Sequence, residues 1–123
     1  MPVRNAESYV EIAIKSVLLQ TYQHFEIIIV EGGSDDGTIN QIQRIFDHRI
    51  RLYRIKEEGF IEKLNYGIKK SRGNWIARMD ADDISHPKRF EKQINFLSNN
   101  SDALIVSSIY GYICNNKLIV PMK

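Results

Sequence analysis

Apolar residues at Tyr9, Ile12, Ala13, Val17 and Leu18 recur at helical spacing, with no Gly or Pro between Tyr9 and Thr21, so the spacing predicts a helix there. Phe25 to Glu31 follows, with four consecutive β-branched residues, Ile27, Ile28, Ile29 and Val30, the pattern of a central strand covered on both faces. Ile39, Ile42, Ile45 and Phe46 mark the face of a second helix ending near His48, and Ile50 to Ile55 alternates like a strand nearer an edge. Ile61, Leu64 and Ile68 outline a third helix, stopped by the basic run Lys69-Lys70-Ser71-Arg72 and Gly73. Trp75 to Met79 reads as a short buried strand, with Trp75 in the core, and Phe90, Ile94 and Leu97 define a helix from about Pro87 to Ser98. Leu104 to Ser108 reads as one more strand, and residues 110–113 and 117–120 as a hairpin around Asn115-Asn116. Met1 to Asn5 leaves no room for a strand, and Asn5 is the first candidate helix cap. Strands alternating with helices through short loops predict a three-layer α/β/α fold with a mostly parallel sheet and right-handed crossovers.

The 123 residues fit one domain or less, and an apolar content of 43% is enough for a core. A net charge of +2, from seventeen basic and fifteen acidic residues, is too slight and too interspersed for a nucleic-acid surface. One cysteine, Cys114, excludes an intrachain disulfide framework and makes a reducing compartment the default. No apolar run has the length of a membrane span and no secretory signal opens the chain, so the chain as given reads as cytoplasmic.

Chemistry concentrates where the apolar run ends in Asp80-Ala81-Asp82-Asp83. Carboxylates at a strand's carboxyl end lie where open α/β sheets bind ligands, and oxygen ligands on a turn suit Mg²⁺ or Mn²⁺ and hence phosphate groups. The competing reading is a solvated turn in which Asp83 or Ser85 caps the following helix. Gly32-Gly33-Ser34-Asp35-Asp36-Gly37-Thr38 is a second loop on the same edge, where glycines permit close approach; no Lys-Ser/Thr pair follows, so it is not a P-loop. His24, His48 and His86 are too scattered for a zinc set.

Five segments in order resemble the nucleotide-sugar-binding half of family 2 glycosyltransferases, which have the GT-A fold. They are Pro2-Val3-Arg4-Asn5-Ala6-Glu7, Leu19-Gln20-Thr21-Tyr22 leading into Phe25 to Val30, the loop Glu31 to Thr38, Asn65-x-Gly67, and Asp80-Ala81-Asp82-Asp83 with Pro87 and Arg89. The resemblance implies a site for a nucleoside diphosphate sugar. Pro2, Asn5 and Glu7 would lie beside the nucleoside, Glu31 at the base or ribose in place of the usual Asp, Asp80 near the ribose, and Asp82 on the metal bridging the phosphates. Asp83 would be a helper of the metal site or a cap. Lys63 and Arg89 would orient acids or phosphates, against a competing reading of both as solvated helix charges.

The implied activity is inverting, metal-assisted transfer of the sugar to an acceptor hydroxyl. The catalytic base is expected beyond Lys123, in an acceptor half that binds a glycan or a lipid-linked acceptor. Family habit adds peripheral association with the inner face of the cytoplasmic membrane. The family's usual apolar first strand is represented only by Met1, so residues 1–123 read as a partial donor-binding domain of a longer enzyme, a fragment or the product of a split or late-started gene. The alternatives are a non-catalytic remnant that still binds nucleotide and metal, and a Mg²⁺-dependent phosphoryl-transfer or phosphoacceptor domain; the glycine loop and the Asp-Ala-Asp-Asp context argue against the latter.

Overall fold

Strand β2 (Ile27–Glu31) is buried at all five positions, and the rest of the molecule is arranged to cover it. In the computed structural model, which describes residues 1–56, 59–114 and 117–119, β2 lies between β1 (Pro2–Val3) and β3 (Ile50–Arg54) in a parallel sheet ordered β1-β2-β3. Its register runs from Ile27 opposite Ile50 to Glu31 opposite Arg54, with Pro2 and Val3 opposite Val30 and Glu31. On one face Ile27 and Ile29 join Val10, Ala13, Ile14 and Val17 of α1 (Val10–Leu18) and Ile42 of α2 (Thr38–Gln43) in the hydrophobic core. On the other, Ile28 and Val30 face α3 (Phe60–Lys70) at Gly67, where an added Cβ would sit 3.4 Å from Val30 Cγ2. Alternating strand side chains thus supply two helix layers, which is the expected α/β/α arrangement.

Several expectations are corrected. Residues 74–79 form no strand; Trp75 and Ile76 are 48% and 54% exposed, and only Met79 and then Ala81 reach the core. A parallel strand here needs a neighbour with a row of free amides and carbonyls, and β1 is two residues long with a proline, which has no N–H. Residues 104–108 likewise pair with nothing among the described residues, and Leu104 and Ile105 are exposed. The chain's start, read as too short for a strand, does pair with β2 through Pro2 and Val3, and the Met1 amine extends the contact to the Ile28 carbonyl (2.8 Å).

Helix α2 ends at Gln43, leaving Phe46, expected on its buried face, 95% exposed. Helix α3 is rotated from its expected face: Ile61 and Ile68 are exposed while Lys63 is buried, because close packing at Gly67 turns the Lys63–Gly67 ridge toward the sheet. Asn5 does not cap α1, which starts at Val10 without a side-chain cap. Helix α4 (Arg89–Asn99) also starts without a side-chain cap, so neither Asp83 nor Ser85 serves it. Strands β4 (Tyr112–Cys114) and β5 (Lys117–Ile119) pair antiparallel as the hairpin reading requires; its Asn115-Asn116 turn lies outside the described residues.

Ion pairs brace the open edge of the sheet. Arg49 reaches Asp47 (2.8 Å) and stacks over Phe25, whose ring meets Phe90 edge-on, while Arg51 reaches Glu26 (2.7 Å). Hydrogen bonds from Arg49 hold the Asp47 carboxyl well below the usual carboxylate range. At Glu26 burial pushes the pKa up, but bonds from Arg51 and the Arg72 amide outweigh it and the net shift is downward. Both groups are more acidic folded than unfolded, so their contribution is complete above the unfolded values of about 4 and is lost as pH falls toward the lowered folded ones. The urea midpoint should hold from pH 7 to 5 and drop below about pH 4, with a shallower acid limb in the Asp47→Asn, Glu26→Gln double variant.

Candidate nucleotide-binding cleft

Immediately after β1 the chain is tied to the glycine loop rather than to its own helix. Asn5 adopts a left-handed conformation (φ 49°), which asparagine tolerates better than most residues. Its Oδ1 accepts from the Asp35 amide (3.1 Å), and its own amide donates to Ser34 Oγ (3.0 Å). The Ala6 amide donates to Thr38 Oγ1 (2.7 Å), and Thr38 is fully buried. Glu7 engages twice, its amide donating to Asp36 Oδ2 (3.1 Å) and its carboxylate accepting from the Gly37 amide (3.0 Å). The Thr38 hydroxyl and amide, with the Glu7 amide, hold the Asp36 carboxyl below its ordinary pKa. Gly33, at φ 75°, supplies the turn that closes the loop.

This pinned segment forms one wall of a cleft of about 420 Å³. Pro2, Arg4 and Asn5 line it on one side, Lys63 of α3 on another, and Asp80 and Asp82 on a third. Four of the sequence-derived candidates, Pro2, Asn5, Asp80 and Asp82, therefore share one cavity. Glu7 and Glu31 do not line it. The Glu31 carboxylate is buried at the loop's base, where it accepts from the Ser34 amide and lies 3.5 Å from Arg54 Nε.

At Asp80 the two oxygens differ. Oδ2 accepts from Arg78 Nη2, whereas Oδ1 is buried without a hydrogen-bond partner. A buried carboxylate oxygen without a donor is costly and marks a place for a hydroxyl, water or cation. Asp82 and Asp83 are exposed. Burial lowers the Arg89 pKa, against the attraction of Asp83, and the Arg89 guanidinium donates to the Arg78 carbonyl (2.8 Å). Beside the cleft, burial lowers the Met1 amine to about 6, with the Asp80 carboxylate opposing the shift.

Two residues carry more weight than the sequence indicated. Lys63 is only 5% exposed and faces the cleft, so it is not a solvated helix charge; its placement four residues before Gly67 was the available signal. Gln20 is 1% exposed and joins α1 to the segment after the acids. Among the described residues no group of three or more His, Cys, Asp or Glu side chains could hold a metal. A hard cation would be held by the carboxylates of the Asp80 to Asp82 turn, with oxygens of a bound ligand and water needed to complete its shell, as is common for Mg²⁺.

The parallel sheet and its two helix layers, with a cleft at the carboxyl end of β1, form an α/β fold of the GT-A type. The sequence profile of "Glycosyl transferase family 2" matches residues 1–123, and the chain belongs to that family. An uncharacterized glycosyltransferase of Haemophilus influenzae is 39% identical over 107 residues, covering 85% of this chain and 33% of that protein. The O-antigen biosynthesis glycosyltransferase WbnJ of Escherichia coli is 34% identical over 126 residues, covering all of this chain and 50% of WbnJ. The chain thus spans half or less of the length of these relatives. The crystal structure of S. aureus TarS 1-349 in complex with UDP-GlcNAc superposes with a TM-score of 0.75 at 19% identity, over 81% of this chain and 30% of that one, and shares its fold.

The Thr38 contact gives a direct test of the pinned wall. Thr38→Val keeps the shape but leaves the buried Ala6 amide without an acceptor, and should lower unfolding free energy by about 1–3 kcal/mol in urea titrations. A change within a few tenths would show that the Pro2 to Glu7 segment is held by other contacts.

Proposed function

We propose that this chain is the donor-binding part of a glycosyltransferase that moves a sugar from a nucleoside diphosphate sugar to an acceptor hydroxyl with inversion. The observation that carries the reading is the convergence of Pro2, Asn5, Asp80 and Asp82 on one cleft together with the buried cation Lys63. Pro2 and Asn5 give a rigid wall for the nucleoside. The free Oδ1 of Asp80 suits a ribose hydroxyl, whose donor it lacks. Lys63 is placed to meet phosphate, and its partial removal from water strengthens that attraction. Glu31 and Glu7 act in this reading by fixing the glycine loop against the nucleoside wall.

Departure of the diphosphate gathers negative charge, and Mg²⁺ or Mn²⁺ on Asp82 would stabilise that charge when bound. This chain's own residues orient the leaving group and exclude water; none of them is assigned as the base that deprotonates the acceptor. The UDP and UDP-GlcNAc complexes of TarS support a nucleotide-sugar ligand. The O-antigen role in the name of WbnJ supports a glycan or lipid-linked acceptor, with peripheral work at the inner membrane face as the matching setting. Among the described residues no helix is long and apolar enough to cross a membrane.

Calorimetric titration with UDP in the presence and absence of Mn²⁺ tests the proposal, with GDP and dTDP ranking the base. Metal-dependent UDP binding that falls at least tenfold in Asp82→Ala is the expected outcome, a loss of about 1.4 kcal/mol or more. Folded wild-type protein that binds none of the three nucleotides would remove the donor-site reading.

A further inference from the structure

Three carboxylates within four residues repel one another, yet Asp80 to Asp83 must hold one shape to bind a cation and phosphates together. The amino-terminal side of the turn is anchored by packing, with Met79 and Ala81 in the core. On the carboxyl-terminal side Ile84, His86, Pro87 and Lys88 are exposed, and apolar packing resumes at Phe90, which rests on the core and against Phe25. The stretch between is held by a polar clamp from the end of α1, beside the bond from Arg89 to the Arg78 carbonyl.

The Gln20 amide is the centre of that clamp. Nε2 donates to the His86 carbonyl (2.8 Å) and Ser85 Oγ (3.1 Å), with a longer contact to the Ser16 carbonyl (3.3 Å). Oε1 accepts from the Phe90 amide (2.9 Å). The amide's orientation is fixed by its partners, since a carbonyl can only accept and a backbone N–H can only donate. Around it, Ser16 Oγ accepts from the Ser85 amide (2.9 Å) and the Thr21 amide donates to the Pro87 carbonyl (2.8 Å). Thr21 Oγ1 donates to Glu91 Oε2 (2.7 Å). A helix 65 or more residues away in sequence thereby fixes both ends of the segment from Ser85 to Phe90.

We propose that Gln20 is a positioning residue for the acidic turn: it touches neither nucleotide nor cation, but sets where Asp82 stands when they bind. The proposal rests on the donor-site reading and deepens it. A fully satisfied buried network rigidifies what it joins, whereas the same site with one partner removed leaves buried donors and acceptors unpaired. Outer partners of this kind typically change metal affinity roughly 10- to 100-fold when lost.

The test uses Gln20→Met, which keeps the volume and removes the polar contacts, and Ser16→Ala, a milder cut in the same clamp. Two readouts are taken on each folded variant: amide hydrogen exchange along the chain, and affinity for UDP with Mn²⁺ beside affinity for uridine alone. The expected result is faster exchange confined to residues 81–90, unchanged protection in β2, a loss of roughly tenfold or more in Mn²⁺-dependent UDP affinity, and unchanged uridine affinity. Should Gln20→Met fail to fold, Ser16→Ala is expected to show the same pattern with a smaller loss. Unchanged exchange at residues 81–90 overturns the clamp. Faster exchange there with unaltered UDP affinity overturns the positioning role and leaves Gln20 a fold residue. Wild-type protein that binds neither ligand overturns the donor-site reading itself and the positioning role with it, a result distinct from a loss confined to the variants.

Discussion

The burial of β2 on both faces is the constraint on which the rest depends. Five consecutive positions without solvent demand a helix layer on each side and a hydrogen-bonded neighbour on each edge. α1 and α2 meet the first demand through Ile27 and Ile29, and α3 meets it through the bare backbone of Gly67. β3 satisfies one edge along five residues, while the other is met by the two residues of β1 and the Met1 amine. The same placement puts the end of β1, α3 and the acidic turn around one cleft, with the glycine loop bracing its β1 wall. Architecture and site are therefore one solution to a single packing problem.

Polar contacts then sharpen what packing only places. The Pro2 to Glu7 wall is held by five hydrogen bonds to the loop from Ser34 to Thr38, each donated by a backbone amide that a helix or strand would otherwise satisfy. The acidic turn is held differently, by apolar side chains before it and by side-chain amide and hydroxyl groups after it. Both walls are irregular chain made stiff, which suits a surface that must meet a charged ligand without rearranging.

Much of this was readable from residue order. The run Ile27 to Val30 announced a central strand and the alternation from Ile50 an edge strand, because these signals are local. The misreadings share a different cause. Trp75 to Met79 has the composition of a buried strand, but a strand exists only where a neighbour offers a free edge, and that is a property of the whole sheet. The apolar pattern draws the face of α3 through Ile61, Leu64 and Ile68, since a glycine carries no hydrophobic signal although it decides which side can approach most closely. The competing reading of Lys63 as a solvated charge fails for the same reason. Glu31 and Asn5 matched a motif by position, while the hydrogen bonds that engage them depend on a second loop distant in sequence.

Gly67 has one more effect, on scale. Because α3 rests on Val30 with no side chain between them, helix and sheet lie close together, and Lys63, one turn earlier on the same ridge, lines the cleft. The depth of the cavity is thus gauged by how little side chain this position carries. A methyl group would just touch Val30 Cγ2, at 3.4 Å, whereas any longer side chain would act as a shim, raising the lysine and changing the span of the cleft without altering a single group that lines it.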